Sequence, residues 1–227
     1  MRALVALVAL LALAQLAAAG PIALLASDGR TPLVGAEIVA EKLDGTRIAI
    51  TVPPEGTVTV REVPLGILKI TVVSWKGVPV NYTCRVTPAN STVTVPGIHK
   101  LTVSAVGSRG QGLRGASVEI FYGGRSVDKG IADEAGSYTT LLPAASYVVK
   151  VNYGGKTAEK QVDLSALDRV VVQLDVFAEI GGVALSSSEV MGLIALAALI
   201  PLILFVIAYE YAQWRRKKIL KVVAGPQ

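Results

Sequence analysis

The chain has one cysteine and one histidine in 227 residues, and these shortages exclude several chemistries. With Cys84 alone, no intramolecular disulfide can form, so any exported domain must be held by its apolar core. A structural or catalytic zinc site needs several Cys or His ligands, and there is one of each. His99 has no nucleophile partner that would make it a general base, and its position between two similar halves reads as an exposed structural residue. No nucleophile–base pair, metal-ligand set or phosphate-binding loop occurs, so neither catalysis nor a cofactor is expected. Helical periodicity is missing between the two ends of the chain. A basic stripe is missing too, which argues against nucleic acid as a partner. Cys84 shares one side of an alternating strand with Val80, Tyr82 and Val86, as a buried free thiol would. A bridge to a second copy is the other reading, and the oligomeric state stays open.

Long apolar runs occur only at the ends. No charged side chain interrupts Val190 to Tyr209. An apolar helix of roughly 20 residues crosses a ~30 Å hydrocarbon core, so a single span is expected over residues 190–210. Trp214 and the basic cluster Arg215, Arg216, Lys217 and Lys218 follow it. Lys/Arg excess holds a flank in the cytoplasm, which makes 211–227 a basic cytoplasmic tail in contact with lipid and leaves the N-terminal part outside. At the other end, Arg2, the uncharged stretch Ala3 to Leu16 and the small residues Ala17-Ala18-Ala19 read as a signal peptide over residues 1–19. The expected location is the plasma membrane, single-pass. The net charge of +5 fits this topology: between Gly20 and Glu189 there are sixteen Lys/Arg and sixteen Asp/Glu, so the middle of the chain is neutral.

That middle is duplicated. Pro32-Leu33-Val34-Gly35-Ala36-Glu37-Ile38 matches Gly112-Leu113-Arg114-Gly115-Ala116-Ser117-Val118 at an offset of 80, as Gly56-Thr57-Val58-Thr59 matches Gly136-Ser137-Tyr138-Thr139. Val63-Pro64-Leu65-Gly66 then pairs with Leu142-Pro143-Ala144-Ala145, and Trp75 with Tyr153. Within each copy the apolar period is two. Tyr147, Val149 and Val151 share one face of a strand; Val170, Val172, Leu174 and Val176 share another. Asp44-Gly45, Gly123-Gly124 and Gly154-Gly155 supply turns. About seven short strands per copy predict an all-β fold of two tandem seven-stranded sandwiches, residues 20–97 and 98–178. A juxtamembrane linker over 179–189 and the membrane helix follow. Ser186-Ser187-Ser188 reads as a flexible or helix-capping segment.

Leu113, Gly115, Ala116, Val118, Asp133, Gly136, Tyr138, Leu142, Pro143, Tyr147, Val149 and Tyr153 form a pattern that resembles the carboxypeptidase regulatory-like, transthyretin-like domains. The same Ig-like fold is shared with B-type repeats of bacterial collagen adhesins. The first copy is looser: Pro53-Pro54-Glu55-Gly56 replaces the Asp-containing turn, and Leu68 stands in place of Tyr147. The resemblance covers roughly residues 21 to 177 and implies stalk, adhesion or folding-companion roles, with no shared active site. Some adhesin repeats carry a Lys–Asn isopeptide bond. Lys100 fits the lysine, but the closing strands hold no Asn, so no such link is expected.

Two sequons, Asn81-Tyr82-Thr83 and Asn90-Ser91-Thr92, fall in the first copy and mark glycosylation candidates at Asn81 and Asn90. Asn90 lies in a turn-like stretch and is the better placed of the two. Asp128, Asp133 and Glu134 could be a weak calcium cluster, but Asp133-Glu134-Ala135-Gly136 reads as a plain turn, with Arg125 and Lys129 offsetting the charge. Pro201 predicts a kink in the membrane helix, and Gly192, Ala195 and Ala198 leave its outer half narrow. Exported β-domains without disulfides, together with low Asn, Gln and Met, point to a thermophilic archaeon. The function expected is a membrane-anchored surface protein for binding, adhesion or envelope scaffolding, with a protein or carbohydrate partner. The alternative is an accessory subunit of a membrane-bound exported enzyme or transporter.

Overall fold

The computed structural model describes residues 20–60, 67–87, 92–165 and 167–223, with side chains described as far as Arg215. The 1–19 segment, the Val63–Gly66 half of one repeat match, Asn90 and the side chains of Arg216, Lys217 and Lys218 lie outside the described residues.

Alternating apolar residues and glycine turns produce two sandwiches with the same wiring. The first contains β1 (Ile22–Leu25), β2 (Glu37–Lys42), β3 (Arg47–Thr51), β4 (Thr57–Val58), β5 (Leu68–Trp75), β6 (Val78–Val86) and β7 (Thr92–Thr94). Its sheets are β4-β1-β7 and β3-β2-β5-β6. The second contains β8 (Ile98–Val106), β9 (Ser117–Tyr122), β10 (Arg125–Ile131), β11 (Ser137–Pro143), β12 (Ser146–Tyr153), β13 (Lys156–Asp163) and β14 (Arg169–Gln173). Its sheets are β11-β8-β14 and β10-β9-β12-β13. In each copy the last strand pairs in parallel with the first. Two seven-stranded sandwiches in identical strand order are what a tandem duplication predicts.

Each core forms between the two inner faces. Leu24, Ile38, Ile70 and Val72 are fully enclosed in the first; Leu101, Val118, Ile120, Val149 and Val151 in the second. Each such side chain contributes about 1.5–3 kcal/mol by leaving water. Tyr147 is also buried and donates its hydroxyl hydrogen to the Pro143 carbonyl at 2.6 Å, while its ring tilts against Tyr122. A phenol this deep needs that acceptor, and burial pushes its pKa far up. Leu68, the counterpart in the first copy, is buried without any polar requirement.

The cores meet without a linker. β8 begins with Ile98 inside the first core and continues with Leu101 and Val103 inside the second. After the second sandwich, residues 179–189, expected as a linker, are folded: β15 (Ala178–Ile180) and β16 (Val183–Leu185) make a hairpin that leads directly into helix α1 (Ser187–Val223). Within Ser187–Arg215, the most apolar 18-residue window has a mean hydropathy of 3.0, and none of that window is buried against the rest of the protein. This segment is long and apolar enough to span a membrane. The helix runs unbroken past Pro201.

Candidate interaction surface

Lys76 and Gly77 form the two-residue turn between β5 and β6. Both have positive φ, 51° and 73°. Gly154 and Gly155 hold the same turn in the second copy, at 54° and 81°. A lysine is a poor choice for a left-handed position, which disfavours residues with a Cβ by roughly 1–2 kcal/mol. What it gains is reach. Its ammonium donates to Asp128 Oδ2 at 2.8 Å, Thr140 Oγ1 at 3.2 Å and the Leu141 carbonyl at 3.3 Å, all in the second sandwich. The Lys76 and Asp128 side chains retain only 28% and 17% exposure. Burial alone would raise the Asp128 pKa, but hydrogen bonds from Lys76 and Thr140 outweigh it and hold the carboxyl below its ordinary value. Beside the ion pair, Val78 joins the second core and Leu141 packs against the first. The first sandwich thus plugs its turn between β10 and β11, where the two sheets of the second sandwich have their open edges.

The second sandwich uses the corresponding turn to hold the C-terminal apolar helix. Ala184 of the hairpin is buried in the second core and sits against Gly154, where an added Cβ would come within 2.5 Å of its own. Tyr153 bonds Glu179. Lys156 pairs with Glu189 at 2.9 Å. Ser186 and Glu189 form a reciprocal capping box: the Ser186 amide donates to Glu189 Oε2 at 2.6 Å, and the Glu189 amide to Ser186 Oγ at 3.3 Å. Of the two readings of the serine run, the structure takes the capping one.

These joins orient the molecule. The Trp75 ends of β5 and β6 face the second sandwich, so the opposite end of that sheet is farthest from the helix. Across its outer face there, Arg47, Glu41, Lys69 and Arg85 are direct cross-strand neighbours on β3, β2, β5 and β6. Glu41 accepts from Lys69 at 3.0 Å and from Arg47 at 3.5 Å, and the Lys69 hydrogen bond holds its pKa down. Arg85 has no carboxylate partner among the described residues and directly opposes Lys69. Beside this row lies a hollow of about 380 Å³ lined by Lys42, Leu43 and Ile67 as well. Leu43 and Ile67 are 60% and 42% exposed. A second, larger hollow of about 830 Å³ runs between the sandwiches, past Arg30, Trp75, Lys76, Lys100 and Thr139.

Other residues singled out by the sequence are dispersed. Asn81 is exposed on edge strand β6, at φ 51°, where Val80 and Asn81 together oppose Val73 in a β-bulge. Pro79 and this bulge also blunt the edge against further strand pairing. Cys84 is half-buried against the first core, and burial raises its thiol pKa. His99 is exposed on β8 opposite Leu142. The acidic cluster separates. The Asp133 carboxylate accepts the Ala135 and Ser137 amides within its turn, Glu134 pairs with Arg114, and Asp128 is taken by Lys76 from the other sandwich. The Lys129 amide also donates to Asp128 Oδ1 at 3.0 Å, but among the described residues neither the Arg125 nor the Lys129 side chain forms an ion pair with Asp128. Near the far end of the apolar stretch of the helix, Trp214 tilts against Tyr211 with centroids 6.0 Å apart.

No protein-family model matches the chain, and no curated protein does. Among solved structures, similarity is found to pilins and to one other bacterial protein. The Bacillus anthracis TIE protein is 17% identical with a TM-score of 0.31, over 68% of this chain and 33% of that one. A streptococcal ancillary pilin is 13% identical with a TM-score of 0.28, over 68% and 61%. The major pilin subunit BcpA of Bacillus cereus is 12% identical with a TM-score of 0.29, over 60% and 54%. The chain spans less than two thirds of each of these proteins. At such scores the overall arrangements differ too much to assign a role to any residue here.

Proposed function

We propose that this chain is a single-pass surface protein whose tandem sandwiches stand outside the membrane and present their outer end for binding or adhesion, with no catalytic role. The observation that carries this reading is the pair of joins built on one repeated turn. The first turn fixes sandwich to sandwich through Lys76 and Asp128, and the second fixes sandwich to helix through Ala184 and the Ser186–Glu189 box. A signalling or hinged enzyme module has little use for two such joins in series, whereas a spacer that holds a surface away from the bilayer needs both. The basic cluster after the span supports the orientation with the tail inside. On this reading Asn81 is a glycan acceptor on the outer side. The test is proteolysis of whole cells: residues 21–177 should be degraded by added protease while the tail stays protected until lysis. Survival of the sandwich pair on intact cells, with degradation only after lysis, would refute the reading.

A further inference from the structure

The duplication supplies an internal control for the outer end. By strand register, Arg47, Glu41, Lys69 and Arg85 correspond to Ser126, Phe121, Val148 and Gln161 in the second sandwich. The same fold is therefore built there with no charge in that row. In the first copy the row is not neutral for stability either. Lys69 and Arg85 are like charges placed directly opposite, an arrangement that weakens a sheet. Adding Lys42 at the rim, four cations meet Glu41 and Asp44, and Asp44 is occupied with the Thr46 amide of its own turn. The surplus is local, because the chain between Gly20 and Glu189 is neutral overall.

We infer that this row binds an acidic polysaccharide, one bearing carboxylate or sulfate groups, lying across the strands. Lys69 and Arg85 occupy adjacent strands, roughly 4.8 Å apart, and Arg47 lies one strand beyond Glu41, so the row runs perpendicular to the chain direction of the sheet. A peptide adding to edge β6 would run along that strand and meet Arg85 alone, and Pro79 with the Asn81 bulge already interrupts that edge. On the sheet face the backbone groups are used within the ladder, so an extended peptide lying there would find no main-chain partners. A polysaccharide needs none: its acidic groups meet the cations and its hydroxyls meet Thr71 and Thr83, which lie in the next row of the same face. Leu43 and Ile67 receive apolar ring faces at the rim. A like-charged end cannot pair with itself, which sets a second copy aside. The groove between the sandwiches is the weaker candidate, since Lys76 is already matched by Asp128 and the Asp28 carboxylate, which accepts the Arg30 amide, adds negative charge beside Arg30.

This inference rests on the proposed surface role for access to such a polymer, but its test does not. The full-length protein in lipid nanodiscs is titrated with polygalacturonate, heparin, neutral dextran and poly-L-glutamate. Polygalacturonate or heparin should bind, more weakly as salt rises, while dextran should not. The triple variant Arg47→Ser, Lys69→Val, Arg85→Gln carries the second sandwich's own residues at those positions and should melt at or above the parent temperature. It should bind about tenfold more weakly or not at all. Glu41→Gln, which removes the row's negative charge, should bind more tightly. Unchanged binding by the triple variant, no gain in Glu41→Gln, or poly-L-glutamate binding as well as the acidic polysaccharides would overturn the inference. The whole-cell protease result can stand or fall independently of all of these.

Discussion

Lys76 and Asp128 are 52 residues apart in the chain, on different sandwiches, and their charged atoms are 2.8 Å apart. The pair fixes the angle between the sandwiches as well as closing the seam between β10 and β11. Asp128 would be stranded among half-buried groups if its partner were lost.

Replacing Lys76 has two opposing consequences. Lys76→Gly relieves the left-handed turn but removes the ammonium; Lys76→Met keeps the backbone cost and also removes it. Lys76→Met should lower stability by about 1–3 kcal/mol, and Lys76→Gly by about 1 kcal/mol less. Chemical unfolding of both variants checks the order, and a double-mutant cycle with Asp128→Asn should show the two sites strongly coupled.

Acid should act through the same pair. The folded-state pKa of Asp128 is depressed, so its contribution is fully present above the unfolded value of about 4 and is lost as pH falls through the folded value. Small-angle scattering should show a fixed interdomain arrangement from neutral pH down to about pH 5, loosening at lower pH. Asp128→Asn should be looser throughout and lack this acid step. An identical acid response in that variant would remove Asp128 as its source.

Gly154→Ala would place a methyl 2.5 Å from the Ala184 Cβ, at a backbone φ of 54°. The hairpin must then lift from the second core. Protease cleavage between Val176 and Ser188 should become much faster, with the sandwiches themselves still folded. Ser186→Ala should weaken the same junction by about 1 kcal/mol through loss of the cap, visible as faster amide exchange in the first turn of α1.

Tyr147→Phe should cost about 1 kcal/mol, because the Pro143 carbonyl loses its buried donor. Tyr147→Leu, which copies Leu68 of the first sandwich, should cost more, since a cavity is added to the missing hydrogen bond. Thermal denaturation of the two variants separates these contributions.

Thr83→Ala abolishes the sequon at Asn81 without touching the left-handed backbone of Asn81 itself. If the sandwiches face outward, intact mass of the protein from its own membrane should fall by one glycan in this variant. A mass lower by only the Thr-to-Ala difference would exclude modification at Asn81.

Much was legible from order along the chain. The run from Val190 to Tyr209, the period-two strands and the repeat at an offset of 80 each depend on neighbours in sequence, and they determine the apolar helix, the sheet faces and the duplication. What the sequence could not display is which distant residues become adjacent. Asp128 looked like part of an acidic turn, yet its partner is a lysine in another sandwich. Arg47, Glu41, Lys69 and Arg85 are unremarkable as separate letters, and become a row only when the registers of four strands are set. A one-residue slip would send each of those side chains to the opposite face. Register and stacking come from burying two cores at once, so the charged surface and the joins were decided by the tertiary structure alone.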